Sequence, residues 1–170
     1  MDYKNRKYTI EDYNPDWVNE FQREKCTLSK IFGTYALSIE HIGSTAVPGL
    51  SGKPIIDVLV TVNMLSDAEQ YTSAMIENGY IDKGAYVSEN SRLFVKEENN
   101  IRLVNIHIFP KEHDHIAEML KVRDYLRQHA EKVDEYNKLK IALYNKYPND
   151  YGMYRKYKDE WMDKLVKSIV

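Results

Sequence analysis

The sequence predicts an α+β fold with a small mixed sheet in its first two thirds and a three-helix carboxyl-terminal tail. Two short apolar runs, 36–42 and 54–62, predict neighbouring strands, because a Gly- and Pro-rich loop joins them. From residue 112 onward the apolar spacing is helical, with breaks near 129–130 and 148–149. These tail helices are amphipathic, so we expect them to pack onto the sheet or to frame its open end.

A helix is predicted before the first strand. Asn14 suits the N-cap position and Pro15 the first helical position. Apolar residues then recur at helical spacing as far as Phe32, and Gly33 provides a stop signal. The amino-terminal part of the chain should therefore cover one face of the sheet with this helix.

The middle of the chain predicts a second helix and a hairpin. The helix begins at a capping box formed by 66–69 and ends at the Asn-Gly pair 78–79. A strand could begin at 80–81. The runs 92–96 and 101–109 are rich in β-forming residues and flank a polar turn, which predicts an antiparallel hairpin.

Composition limits the class of protein. The 170 residues fit one domain, 1–170, and 43% hydrophobic with 29% charged residues is typical of a soluble globular protein. No apolar stretch approaches the roughly 20 residues that cross a bilayer, so no membrane partner is expected. The charged first seven residues argue against a signal peptide. A single cysteine, Cys26, excludes an internal disulfide, so we expect a cytoplasmic protein with this thiol buried.

Charge is distributed unevenly along the chain. The net charge of −2 argues against a dedicated nucleic-acid binder. Residues 121–170, however, contain 12 Lys and Arg against 8 Asp and Glu. Two interpretations stay open: these cations are solvated helix faces, or some of them face an anionic ligand.

The segment 39–60 contains the clearest chemical signal. Its first apolar run ends in Gly43 and Ser44, and such a loop offers backbone N–H groups and a hydroxyl to an anion. Its second run contains one carboxylate, Asp57, which is costly to bury without a partner and should therefore face a cleft. There it could bind a metal or act as a base. Lys53, in the joining loop, could reach a phosphate.

The later strand adds a histidine. His107 lies two positions after Asn105, so the two side chains share one face of the sheet, beside Asp57. A histidine that contacts this carboxylate could serve as a general base or as a neutral metal ligand. A purely structural His–Asp pair explains the same pattern.

The tail contains cationic and aromatic side chains one helical turn apart, which could clamp phosphates or stack on a base. The pairs are Arg123 with Arg127, Tyr136 with Lys140, and Tyr154 with Lys158. Arg123 beside Asp124 could equally anchor the tail to the sheet through ion pairs.

The chain resembles the GrpB family, an uncharacterised bacterial family of the nucleotidyltransferase superfamily, from about Tyr8 to the last helix. The hallmark is Glu-His-Ile-Gly-Ser-Thr-Ala-Val-Pro-Gly-Leu at 40–50, followed by Lys-Pro-Ile-Ile-Asp at 53–57. Further matches lie at 105–108, 123–127, 135–140, Tyr154, Lys156 and Lys158. The resemblance implies a nucleotidyltransferase-like fold. In that superfamily a Gly-Ser ends one strand, and two alternate carboxylates on the next strand share cations that bridge a nucleotide's phosphates.

The chain departs from this superfamily pattern at the carboxylates. If Asp57 is the first acid of the pair, the second position is Leu59; if it is the second, the first position is Ile55. The apolar residues after Asp57 favour the second register. Either register leaves an aliphatic residue where a metal ligand is expected, and the later strand offers Asn105 and His107 but no acid.

The resemblance and the residues together predict a domain that binds a nucleotide or another phosphorylated small molecule. Metal-assisted nucleotidyl or phosphoryl transfer is the reaction implied, and a non-catalytic binding domain of the same fold is the alternative. Asp57 and His107 are the candidate catalytic residues, and Asp57 with Glu40 would bind Mg²⁺, the one cofactor expected. The candidate phosphate-binding residues are Gly43, Ser44, Thr45, Lys53, Arg123, Arg127, Lys140 and Lys158.

Overall fold

A computed structural model, described for residues 8–86 and 88–169, contains a five-stranded sheet with helices on both faces. The first half comprises α1 (Asp16–Phe32), β1 (Ala36–Ile42), β2 (Ile56–Val62), α2 (Leu65–Glu69), α3 (Thr72–Glu77) and β3 (Ile81–Asp82). The second half comprises β4 (Arg92–Glu98), β5 (Ile101–Pro110), α4 (Asp114–Gln128), α5 (Ala130–Lys146) and α6 (Tyr151–Ile169).

The strands lie in the order β1-β2-β5-β4-β3. The central pair, β2 and β5, is parallel, and the other neighbours are antiparallel, so the predicted mixed sheet is confirmed. Because β2 and β5 run in the same direction with Ile56 opposite Val104, the first residues of β2 lie beside the middle of β5. Among the described helices, none is long and apolar enough to cross a membrane. The charged first seven residues, which argued against a signal peptide, lie outside the described part of the chain.

One face of the sheet, called the dry face below, packs against α1 and forms the main apolar core. Alternate residues of β2 from Ile56 to Val62 point toward α1, and each is almost fully buried. α1 contributes a stripe of buried side chains to the same cluster: Trp17, Phe21, Leu28 and Phe32. Burial of this stripe fixes the helix on the sheet, since removing large apolar side chains from water is the main stabilising term in folding.

The opposite face is covered by the tail. Ile42, Leu59 and Phe109 form a small buried cluster beneath α4. A second cluster joins α4, α5 and α6 to the β1–β2 loop through Val47 and Leu50. The tail helices thus pack on part of this face and, as the sequence predicted, surround the open end where β2 begins.

Several predicted boundaries are confirmed. β1 spans 36–42 as predicted, and the hairpin turns at Asn99 and Asn100, whose φ angles of 50° and 63° suit a tight two-residue turn. Asn14 accepts a hydrogen bond from the backbone N–H of Asp16 at 3.0 Å, as a residue capping α1 should. The three tail helices break where the sequence indicated.

Three expectations are wrong in detail. The helix predicted for 66–79 is two short helices, α2 and α3, and its first turn is capped by Asp67, which accepts from the N–H of Met64 at 3.0 Å. β2 begins at Ile56 and not at Pro54, because proline has no N–H for the ladder. Cys26 is exposed, since it lies on the side of α1 opposite the buried stripe.

Candidate functional site

A cleft of about 370 Å³ lies at the open end of the sheet. The β1–β2 loop and the first residues of β2 form one side, the middle of β5 forms the floor, and α4, α5 and α6 form the remaining walls. Gly43, Ser44, Lys53, Asp57 and His107 all line it. The fold therefore brings together residues that the sequence singled out in two separate segments, 39–60 and the later strand.

Asp57 lies in this cleft with two partners from β5. Its Oδ1 accepts a hydrogen bond from Nδ2 of Asn105 at 2.7 Å and lies 3.5 Å from Nε2 of His107. The parallel register places Asn105 opposite Asp57 and His107 opposite Leu59, so all four side chains share the cleft face. The expected proximity of His107 to Asp57 is therefore present.

The environment keeps Asp57 ionised. Burial by itself would raise the pKa of this carboxyl, but the contact with His107, the Asn105 hydrogen bond and the charge of Lys53 outweigh it, so the pKa is lowered. Arg102 fixes the Asn105 amide, because its guanidinium donates to Oδ1 of Asn105 at 2.8 Å and so turns Nδ2 toward Asp57. Asp57 is thus a pre-positioned anion at neutral pH.

Two glycines allow the loop to approach these groups closely. Gly43 has a φ of 74°, and a Cβ added there would lie 2.7 Å from Oδ2 of Asp57. A Cβ added at Gly52 would lie 2.8 Å from the Cβ of Ser44. No other residue type fits either position without a shift, so Ser44 and Asp57 are held together by backbone that requires glycine.

Lys140, on α5, is the most buried cation in the described part of the chain, with 1% of its surface exposed. Its ammonium group donates to the carbonyl of Ser51 and, at 3.4 Å, to the hydroxyl of Ser44. Burial, with a smaller contribution from the charge of Lys158, lowers the pKa of Lys140 to about 7. The loop and α5 are therefore joined through a cation that lacks its normal hydration.

Two further lysines line the cleft. Lys53 donates to the Tyr151 hydroxyl at 2.6 Å, and Lys158 pairs with Asp159 at 2.7 Å. Within residues 8–86 and 88–169, neither Lys53 nor Lys140 forms an ion pair with a carboxylate. Lys53 shares its charge with the ionised Asp57, and Lys140 reaches Ser44 without a carboxylate partner among the described residues.

Two predicted phosphate-binding residues lie elsewhere. Thr45 is buried, and its hydroxyl contacts Nε2 of His41 at 2.9 Å, so it faces the interior. Nε of Arg127 donates to the carbonyl of Ala46 at 2.9 Å, and this residue does not line the cleft. In both cases tertiary contacts direct the side chain toward the protein itself.

Arg123 and Glu40 neutralise one another. Nη1 of Arg123 lies 2.7 Å from Oε2 of Glu40 and 3.1 Å from the carbonyl oxygen of His41, and Nε lies 2.8 Å from Asp124. Arg123 borders the cleft, yet its guanidinium anchors α4 to β1, which is the structural alternative that the sequence left open. Glu40 therefore forms an ion pair with Arg123 and does not line the cleft beside Asp57.

The residues present do not fit a metal centre held by protein alone. No group of three or more His, Cys, Asp or Glu side chains within the described ranges is arranged to hold a metal ion. Ile55 and Leu59, the two positions where a second acid would lie, are both buried, and Leu59 packs under α4. A Mg²⁺ ion here would depend on the phosphates of a ligand for most of its coordination.

Sequence analysis named only part of the α6 wall of the cleft. α6 contributes five lining residues at spacings of three or four, of which Tyr154 and Lys158 were named and Tyr151, Met162 and Val166 were missed. That spacing identifies a single helix face, but the sequence does not say whether such a face meets a core or a cavity. The role of Arg102 in orienting Asn105 has no sequence signal, since it depends on side-chain geometry.

The chain is similar in sequence to known proteins. Residues 7–168 match the GrpB protein family. The chain is 37% identical over 160 residues to the UPF0157 protein YqkA of Bacillus subtilis, and the match covers 94% of this chain and 46% of YqkA, so the chain spans about half of that relative's length.

Solved structures agree with the sequence match. The crystal structure of the conserved protein GrpB from Enterococcus faecalis superposes with a TM-score of 0.88 and 30% identity, covering 95% of this chain and 96% of that one. The Cid1 poly(U) polymerase with MgGTP bound gives a TM-score of 0.55 at 14% identity, covering 79% of this chain and 44% of Cid1. The second likeness concerns the fold alone, and that fold is the nucleotidyltransferase fold. The chain belongs to the GrpB family.

Proposed function

We propose that the cleft binds the phosphate groups of a nucleotide or of another phosphorylated small molecule. The observation that carries the proposal is the convergence of Lys53, Lys140 and Lys158 on the cleft beside the hydroxyl of Ser44. These residues come from a loop and two helices, so the fold, and not a local run of charge, assembles them. Lysine suits this task because its ammonium group binds phosphate as a point charge.

The energetics of Lys140 favour an anion. Burial holds the pKa of Lys140 near 7, so the protein's own groups stabilise its charged form poorly. A phosphate about 4 Å away would contribute roughly 4 kcal/mol of attraction at an effective dielectric constant of about 20. That attraction offsets the desolvation of the lysine, so binding and protonation of Lys140 should be coupled.

Asp57 decides which way the ligand lies. An ionised carboxylate repels a phosphate, so the phosphates should contact Ser44 and the three lysines and leave Asp57 to a hydroxyl group of the ligand. His107, 3.5 Å from Asp57, could then exchange a proton with that hydroxyl. No step in this arrangement requires a metal held by the protein.

A thermal-shift titration tests the binding proposal. ATP or UTP with MgCl2, at 100 times the dissociation constant, should add about 2.7 kcal/mol of stability and raise Tm by roughly 5–10 °C. Lys140→Met should lose most of this shift, whereas Lys138→Met, an exposed lysine on the same helix, should keep it. If neither pyrophosphate nor any nucleotide or sugar phosphate shifts the wild type, or if Lys140→Met responds as the wild type does, the proposal fails.

Phosphoryl or nucleotidyl transfer is a second candidate function. It is favoured because His107 and the ionised carboxylate of Asp57 lie in the same cleft as the lysines. Asp57→Asn separates it from a non-catalytic binding domain. A transferase should lose turnover with little change in Tm, because Asn keeps the side chain's shape. A binding domain should keep both its ligand affinity and its cellular role in the same variant.

A further inference from the structure

The two ends of the cleft differ in chemistry. The lining residues of α6 run from Tyr151 at one end, through Lys158 at the middle, to Met162 and Val166 at the other. At 1.5 Å per residue this stripe covers about 22 Å of the helix. The Tyr151 end meets Lys53 of the loop. Val166 lies about 12 Å along the helix from Lys158, the last cation of the stripe.

Apolar side chains form the far end. α4 and α6 pack together, and Met119, Val122 and Leu126 of α4 line the cleft together with Met162 and Val166 of α6. The polar residues lining this stretch of α4 are Glu118 and Arg123, and the guanidinium of Arg123 is occupied by Glu40 and Asp124.

This end is poorly suited to a nucleobase. A base presents several hydrogen-bond donors and acceptors on its edges, and each one that leaves water without a partner costs about 1–3 kcal/mol. Glu118 can accept hydrogen bonds but cannot donate them when ionised, so it satisfies the donors of a base and none of its acceptors. Alkyl groups, in contrast, bind more tightly with each CH₂ that they bury, by about fourfold.

We infer that the ligand is a phosphorylated molecule with an apolar body, held by its phosphates at Ser44 and the lysines and by its hydrocarbon part between α4 and α6. The inference rests on the proposed function, because it extends the same cleft. A volume of about 370 Å³ accommodates a small ligand of this kind, such as a diphosphate joined to a short branched chain.

Calorimetric titration with matched diphosphates tests the inference. Methyl diphosphate, 3-methylbutyl diphosphate and UDP share the diphosphate and differ in the attached group. The wild type should bind 3-methylbutyl diphosphate at least tenfold more tightly than methyl diphosphate, and more tightly than UDP. Equal affinities for the two alkyl diphosphates, or tightest binding of UDP, would overturn the inference and leave the phosphate site intact. If none of the three binds, the proposed function fails as well.

A variant of the apolar end provides the second arm. Met162→Gln with Val166→Thr keeps the approximate shape of both side chains but adds polar atoms. It should lose the advantage of 3-methylbutyl diphosphate and bind methyl diphosphate as the wild type does. Met64→Gln, at an exposed methionine far from the cleft, is the matched control and should keep the advantage. If the double variant keeps the advantage too, the hydrocarbon part binds elsewhere and the inference is wrong.

Discussion

Toward α1, strand β2 presents Val58 and Val60, which are completely buried, whereas toward α4 the preceding residue is Asp57, whose side chain is 28% exposed. β5 repeats the contrast with Ile106 on the dry face and Asn105 on the other. One set of strands thus supplies an apolar core on one face and a polar cleft on the other. The large apolar core on the α1 face stabilises the fold, which allows the cleft to hold groups that are costly to bury.

Lys140 shows that cost most clearly. On the α1 face the buried His41 has a neutral partner, since its Nε2 contacts the Thr45 hydroxyl at 2.9 Å and its ring stacks on Phe21 with centroids 4.6 Å apart. On the cleft side a cation is almost completely buried beside a carbonyl and a hydroxyl. Replacement of such a lysine by an apolar residue is expected to stabilise a protein, so its presence supports the proposed phosphate site.

The largest difference between the faces should appear on truncation of neighbouring residues of β5. Ile106→Ala should lower the free energy of unfolding by about 2–5 kcal/mol, because it leaves a cavity in the dry core. Asn105→Ala removes hydrogen bonds in a partly exposed cleft and should cost about 1 kcal/mol. Urea denaturation measures both, and equal losses would show that the faces contribute alike.

Acid should destabilise the dry face through His41. Burial, reinforced by the charges of Arg127 and Arg123 and opposed by Asp57, lowers the pKa of His41 to about 4. The unfolded state gains a proton near pH 6.5 and the folded state only near 4, so stability is lost as pH falls through this window. The free energy of unfolding should fall by about 3 kcal/mol across this window, and His41→Gln should not show this fall. Urea denaturation of both proteins at a series of pH values measures the difference. Parallel curves for the two proteins would contradict it.

Lys140→Met should stabilise the protein at pH 7, by about 1–4 kcal/mol, because an apolar side chain of similar length replaces a buried cation. The folded pKa near 7 lies below the unfolded value of about 10.5, so the folded state binds fewer protons between them. Wild-type stability should therefore rise with pH across that window, and the advantage of the variant should shrink. A destabilised variant in urea denaturation would show that the Ser51 hydrogen bond outweighs the burial of charge.

The smallest expected effect concerns the loop that faces Asp57. Gly43→Ala should cost about 1–2 kcal/mol, since φ is positive and the new Cβ would lie against Oδ2 of Asp57. Asp57→Ala in the same chain should recover the part of this cost that comes from the steric contact. A double-mutant cycle in urea measures the coupling, and strictly additive losses would show that the loop and Asp57 are independent.

The elements of the fold could be predicted because their signals are local. The apolar run of β1 and the Asn99–Asn100 turn are read from adjacent residues, and both were confirmed. The exposure of Cys26 was misjudged although the helical stripe that decides it is visible in the sequence. Only the split between α2 and α3 needed the surrounding structure.

The site could be predicted only where backbone geometry decides it. Asp57 and His107 meet because strand alternation and register place them on one face. Thr45 contacts His41, and Arg123 donates to Glu40. These contacts depend on how the elements pack, which cannot be predicted from spacing along the chain. Lys53, Lys140 and Lys158 were all named from the sequence, but their convergence on one cleft depends on the same packing.

Proton uptake on binding tests most directly whether an anion lies against Lys140. Calorimetric titration of pyrophosphate at pH 8, in two buffers that differ in ionisation enthalpy, reports the protons taken up per bound ligand. At this pH Lys140 is mostly neutral before binding, because its pKa is about 7. The wild type and the Lys138→Met control should take up close to one proton more than Lys140→Met. Equal uptake by all three proteins, or no binding to the wild type, would contradict a phosphate site built on the buried lysine.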